Sequence, residues 1–217
     1  MTALLVLAVT ASLVQEQPAA RRESIEWTDA WMPHTNDHDL PRVMLIGDSI
    51  TRSYYPAVEE KLKGKAYVSR YTTSKAIGDP ALLTELAVFL KQNRYAVVHF
   101  NIGMHGWAYT EDEYRQHWPA LLSAIRESAP GARLIWASTT PVRKDREGKN
   151  AGPRNDRIQA RNAVARTLSD REKIPVDDLH ALMSGHADMH TDDVHFSKEG
   201  SALMAEQVAR EIAKLLN

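Results

Sequence analysis

Ser49, in Gly47-Asp48-Ser49-Ile50, offers a hydroxyl as a nucleophile, and Asp192-Asp193-Val194-His195 near the other end holds a carboxylate and an imidazole three residues apart. A serine hydroxyl is a weak nucleophile at neutral pH and needs a base. His195 can take its proton, because imidazole titrates near neutrality and its two nitrogens are distinct. Asp192 can fix the tautomer by accepting a hydrogen bond from the second nitrogen. Between these segments, Gly103-Met104-His105 adds an N–H donor of the kind that binds a developing oxyanion. None of the three is specific alone, since Asp-Ser before a helix is also good capping chemistry. Their order along the chain gives them weight.

The elements that must position these side chains are legible as alternating apolar runs and amphipathic stretches. Strands are expected at 42–47, 66–71, 95–101, 133–138 and 174–177, and helices at 51–62, 80–92, 111–128, 155–169 and 198–216. Leu121, Leu122 and Ile125 show the three- and four-residue spacing of a helix that buries one face. Strand-helix alternation with short connections points to an α/β fold, a five-stranded parallel sheet covered by helices on both faces. Such sheets bind ligands beyond the carboxyl ends of their strands. Ser49 follows the first strand, Ser74 and Lys75 the second, and Gly103 to Trp107 the third. The 143–153 loop follows the fourth, and Asp192 and His195 lie between the fifth strand and the last helix. All are expected on one edge.

A chain of 217 residues is long enough for one well-buried core and short for two enzyme domains. Its net charge of −1 gives no electrostatic reason to expect nucleic acid or an anionic membrane as partner. The absence of cysteine excludes disulfides, thiolate metal sites and a cysteine nucleophile. Residues 3–14 form an apolar run, shorter than the about twenty residues a spanning helix needs. It has the size of a signal-peptide apolar region, and Pro18-Ala19-Ala20 offers small residues for cleavage, although no Lys or Arg lies upstream. Residues 1–20 are therefore expected to be a signal peptide, with export to the periplasm or beyond and a cytoplasmic location as the alternative. Residues 21–41 are expected as an N-terminal loop segment and 42–217 as the folded domain.

Gly47-Asp48-Ser49-Ile50 resembles the first block of the SGNH (GDSL-type) hydrolases, and Asp192-Asp193-Val194-His195 with Phe196 and Gly200 is similar to the last. The middle block of that family is Gly-x-Asn-Asp; here it reads Gly103-Met104-His105-Gly106. The resemblance extends from Arg42 to the C-terminus. It implies a three-layer, flavodoxin-like α/β/α fold and an ester-hydrolysing triad of Ser49, His195 and Asp192. It also implies an oxyanion hole built from the Ser49 N–H, an N–H of the second block, and the third-block side chain. His105 stands where the asparagine would be, and an imidazole N–H can take over that donation. Asn101, inside the expected strand, is the competing donor. The second block, Tyr71 to Gly78, has no glycine in the matching place. Lys75 is expected to supply its N–H, with Gly78 as the alternative, because a backbone donor needs glycine only where φ is positive.

Tyr54 and Trp107 are expected to line the substrate pocket, since aromatic faces stack on sugar rings and apolar groups. Core packing fits Trp118 better. Asp48 is expected to hold the serine turn by accepting backbone N–H bonds, and Asp193 has the wrong spacing for the triad. The histidine-rich stretches at 34–39 and 186–195 lack a His-Glu-x-x-His signature and read as loops, so neither a metal nor a cofactor is expected. Arg143, Lys144, Arg146, Lys149 and Arg154 read as a solvated basic loop. The sequence thus leads to a serine esterase acting on small acyl esters, acetyl first, of carbohydrates. Its partner would be that ester substrate, without nucleic acid or stable membrane insertion. Short-chain lipid esters or thioesters, a non-catalytic carbohydrate-binding or accessory role, and metal-dependent hydrolysis are the alternatives.

Overall fold

Val43, Met44, Leu45 and Ile46 are wholly buried at the centre of the sheet, as a parallel strand covered on both faces must be. They belong to β2 (Arg42–Gly47) in a computed structural model that describes residues 20–143 and 152–216. The expected signal peptide, save Ala20, and the basic residues Lys144, Arg146 and Lys149 lie outside the described residues. Parallel to β2 run β3 (Tyr67–Thr73), β4 (Val97–Phe100), β5 (Arg133–Ala137) and the short β6 (Val176–Asp177). The alternating residues of these strands face two different cores. Met44, Ile46, Val98, Phe100 and Trp136 pack beneath α2 (Pro80–Leu90), α3 (Glu111–Ser128) and α4 (Pro153–Arg171). Val43, Leu45, Val68, Val97 and Ile135 pack beneath α1 (Ser49–Lys61), α5 (Leu179–Ser184) and α6 (Lys198–Leu216). The result is the expected three-layer α/β/α sandwich.

One strand was not anticipated. Within the segment read as loop, β1 (Thr28–Trp31) pairs antiparallel with β3, Thr28 opposite Thr73 and Trp31 opposite Arg70. The sheet is therefore six-stranded and mixed, ordered β1-β3-β2-β4-β5-β6. Its four residues are exposed or half-buried and carry no run of alternating apolar positions, so the periodicity that reveals a strand is missing. Backbone pairing with the outer edge of β3 and the Arg70–Asp29 ion pair at 3.0 Å hold it instead.

The strand-to-helix junctions explain where helices begin. Asp48 caps α1 by accepting the Ile50 N–H at 2.8 Å, and Asp79 caps α2 ahead of Pro80 at 2.9 Å from the Ala81 N–H. Thr110 and Glu113 form a reciprocal capping box on α3. Gly47 lets β2 turn directly into α1: a Cβ there would lie 2.7 Å from Thr51 Cβ and closer still to its hydroxyl. Among the described residues no helix is long and apolar enough to cross a membrane. Gly47→Ala should cost about 1–3 kcal/mol, the usual range for overpacking a tight core, read as a lowered urea midpoint. A midpoint equal to that of the parent protein would show that the β2–α1 junction yields freely.

Candidate active site

Ser49 is the first residue of α1, half-buried at the carboxyl edge of the sheet. A first-turn N–H has no partner inside its helix, and the Ser49 N–H finds no acceptor among the described residues. The hydroxyl and a free N–H therefore share one spot, with the positive end of the helix behind them. Asp48 is buried below, its carboxylate engaged as the helix cap. Burial pushes that carboxyl up, and the charge of His105, the Ile50 N–H and the charge of His195 oppose the rise.

The loop carrying His195 is closed at its base. His190 and Phe196 pair as an antiparallel bridge, the Thr191 N–H donates to the His195 carbonyl at 2.8 Å, and the Ser197 N–H donates to the Met189 carbonyl at 2.7 Å. The buried Phe196 ring anchors this base in the core beside Gly200. Inside the loop, Asp192 Oδ1 accepts the N–H groups of Val194 and His195, each at 2.7 Å. Asp192 Oδ2 lies 2.8 Å from His195 Nδ1, and His195 Nε2 lies 2.8 Å from Ser49 Oγ. A carboxylate facing Nδ1 keeps the ring proton there and leaves Nε2 to accept one from serine. Partial burial pushes the Asp192 carboxyl up, but the His195 and Val194 N–H groups and the His195 ring outweigh it and hold it at about 2. Asp193 makes no such contact; its carbonyl accepts the Arg143 N–H at 3.0 Å.

His105 sits in the loop after β4, next to β2 in the sheet. Arg161 of α4, 1% exposed, shapes that loop by donating to the carbonyls of Gly103, His105, Gly106 and Tyr109 at 2.9–3.2 Å. Gly106 takes φ +80°, where a side chain is disfavoured, and a Cβ there would meet Ala76 Cβ at 2.5 Å. His105 Nδ1 faces Glu23 Oε2 at 3.0 Å, while Nε2 is shielded from water and without a partner among the described residues.

Three expected residues stand elsewhere. The Lys75 N–H is taken by Thr73 Oγ1 at 3.1 Å, and its ammonium pairs with Glu85 at 3.1 Å, so neither faces a substrate. The next N–H, that of buried Ala76 beside Gly106, has no acceptor among the described residues. Tyr54, 1% exposed, belongs to the core under α1 with its hydroxyl on Thr51 at 3.0 Å; the helical period that places it near Ser49 turns it inward. Asn101, the competing donor, gives both amide protons away, to the Ala137 carbonyl at 2.6 Å and Thr139 Oγ1 at 2.9 Å.

Trp107 is partly buried against Met104, Val142 and Val194, the neighbour of His195. Guanidinium groups of Arg154, Arg161 and Arg157 lie 4.9, 5.1 and 5.6 Å from its centroid, so it forms a wall rather than an open stacking platform. Among the described residues no three His, Asp or Glu side chains converge as a metal site. Sequence reading missed Glu23, Arg161 and Ala76. Ala76 lies within the second block, next to the expected Lys75, while Glu23 and Arg161 lie in no motif.

A sequence model of the GDSL-like lipase/acylhydrolase family matches residues 45–203, a span that holds Ser49, His105, Asp192 and His195. The chain belongs to this family and is a carboxylic ester hydrolase. Solved structures share the fold at low identity. An aryl esterase of M. smegmatis superposes with TM-score 0.68 at 14% identity, covering 81% of this chain and 99% of that one. Est24, a carbohydrate acetylesterase from Sinorhizobium meliloti, gives 0.67 at 15%, over 81% and 99%. A carbohydrate esterase family 3 structure from Talaromyces cellulolyticus gives 0.63 at 18%, over 81% and 98%. No curated protein matches the sequence.

The Asp192 carboxyl, at about 2, lies below its ordinary 3.8. Its ionised form thus contributes stability that is complete above about pH 4 and is lost as pH falls towards 2. The denaturation midpoint of Asp192→Asn should trail the parent by a constant margin from about pH 7 to 5, and the margin should close below about pH 4. A margin that stays open below about pH 4 would show that the ionised Asp192 carboxylate is not what stabilises the loop.

Proposed function

We propose that this chain is a serine esterase that removes small acyl groups, acetyl first, from carbohydrate esters. One observation carries the reading: an unbroken relay from Asp192 through His195 to Ser49 by two contacts of 2.8 Å. In the reaction, Ser49 Oγ attacks the ester carbonyl while His195 Nε2 takes the hydroxyl proton. The tetrahedral oxyanion is met by the N–H groups of Ser49 and Ala76 and by the His105 ring. His195 then gives its proton to the leaving alcohol. Water, activated by the same ring, attacks the acyl-Ser49 ester and releases the acid.

The substrate class is supported by neighbours whose own descriptions are carbohydrate acetylesterase and acetyl xylan esterase. The half-buried Val194 and Trp107, packed on the buried Met104 and Val142, put a short apolar face beside His195 that suits a small acyl group. Residues 1–20 act as an export signal in this reading, which fits a polymer substrate met outside the cytoplasm.

The pure protein should hydrolyse p-nitrophenyl acetate faster than butyrate, deacetylate acetylated xylan, and be indifferent to chelators. Ser49→Ala should lower kcat by roughly 10⁴-fold or more, and a fluorophosphonate should label Ser49. An unlabelled serine with no turnover on any ester would favour a binding module, and inhibition by chelator a metal enzyme. His105→Ala should lower kcat by roughly 10²-fold, as loss of one oxyanion donor does, with KM little changed. An unaltered kcat removes His105 from the mechanism.

A further inference from the structure

Two tryptophans flank the end of β2 where Ser49 sits, and each has a guanidinium over its ring. Trp27 is tied to the loop after β3, its N–H donating to Ser74 Oγ at 2.8 Å and its carbonyl accepting the Ser74 N–H at 3.1 Å. Trp107 lies in the loop after β4, on the opposite side of β2 in the sheet. Arg52 stands 4.6 Å from the centroid of Trp27. It follows Ser49 by three residues in α1, so it lies one turn along on the helix face that carries the nucleophile. Arg154 stands 4.9 Å from the centroid of Trp107, which packs against Val194, the neighbour of His195.

Several neighbouring cations are already committed. Arg22 pairs with Asp79 at 2.8 Å and Lys75 with Glu85 at 3.1 Å. Arg157 is held by Glu111 at 2.7 Å and by the Trp107 carbonyl at 2.8 Å, and Arg161 by the carbonyls of its loop. Arg52 and Arg154 are exposed, and their guanidinium groups have neither an ion pair nor a hydrogen bond among the described residues. The acids in the segment before Trp27 do not answer Arg52. Glu23 accepts the Gly106 N–H and faces His105, and Glu26 accepts the Glu23 N–H at 3.1 Å.

Cation–π attraction uses the charge of a guanidinium and leaves its N–H donors unspent. It also steadies a long side chain, so less freedom is lost when an anion binds. A ring covered in this way is denied to a neutral sugar. The rim thus offers two held, unpaired cations, one near the nucleophile and one near the base. Guanidinium matches carboxylate in shape and charge, and the carboxylate group of a carbohydrate is that of a uronic acid. A single acid on the acyl group would meet only one of the two cations, whereas a polymer passing through the site meets both.

We propose that Arg52 and Arg154 form carboxylate-reading subsites on either side of the scissile ester, and that the substrate is an acetylated carbohydrate with uronic acid units flanking the acetylated one. This rests on the carbohydrate esterase reading above.

Acetylated polygalacturonate, compared with the same polymer methyl-esterified at its carboxyl groups, tests this with released acetate as the measure. KM should be about 10-fold lower on the charged polymer at low salt, since two exposed ion pairs are worth about 3-fold each. In about 1 M NaCl, where a charge is felt over only about 3 Å, the preference should vanish. Arg52→Gln and Arg154→Gln should each raise KM on the charged polymer about 3-fold with kcat held, and the double variant should treat the two polymers alike. Fluorophosphonate labelling of Ser49 counts the competent sites in each protein. Equal KM values on the two polymers for the wild-type protein, a comparison that needs no variant, would overturn the inference and leave the carbohydrate esterase reading standing. So would a preference that survives in the labelled double variant. Turnover of p-nitrophenyl acetate with no acetate from either polymer would remove the carbohydrate substrate and the inference together. Failure to label or to turn over any ester would overturn the esterase reading as well.

Discussion

The contact between Ser49 Oγ and His195 Nε2 joins residues 146 positions apart, and the rest of the molecule serves to close that gap. Neither side chain can find the other by local structure. Ser49 is fixed because β2 is buried on both faces and ends at a glycine that admits an immediate helix start. His195 is fixed because Phe196, the residue after it, is a core side chain beneath α1 and α6. The packing of α1 on α6 thus sets the distance between nucleophile and base. Burial of apolar surface does the work, at about 25 cal/mol per Å², and the hydrogen bond reports the outcome.

The loop after β4 is held by a different kind of force. Its carbonyls point inward at Gly103, His105, Gly106 and Tyr109, where no strand or helix can receive them. Buried carbonyls without donors are costly, and the Arg161 guanidinium supplies N–H groups to all of them from one side chain. Burial of that cation is itself costly, since desolvation disfavours its charge. Glu111, 3.5 Å from its Nε, and the ring of Tyr114 offset part of this. A helix in the sequence analysis thus became a clamp on the active-site loop.

Much of this was legible in the chain because parallel sheets translate sequence into place. Five apolar runs with amphipathic stretches between them gave the layers, and the rule that loops after such strands share an edge put Ser49 and His195 on one edge, where the structure has them 2.8 Å apart. The failures have physical causes. β1 lacks periodicity because only its backbone is used, at an edge. Tyr54 lies one turn and a half beyond Ser49, and the helical rotation over that interval turned it to the core. Lys75 was judged by position alone, while a hydroxyl two residues earlier claimed its N–H. Glu23 carries no motif; nothing in a polar stretch before an edge strand says which acidic residue will meet a histidine 82 positions away.

His195 and His105 illustrate how little the residue type decides. Each turns Nδ1 to a carboxylate, at 2.8 and 3.0 Å, and each is thereby forbidden the tautomer with its only proton on Nε2. They differ in what the other nitrogen meets. His195 Nε2 faces a hydroxyl, so its lone pair has a proton to receive and the neutral ring is the useful one. His105 Nε2 is shielded from water and finds no hydrogen-bond partner among the described residues, so no proton is passed there. The carboxylate on its Nδ1 comes from Glu23, in the segment before β1, and the same side chain accepts the Gly106 N–H, so that segment helps to fix the loop after β4.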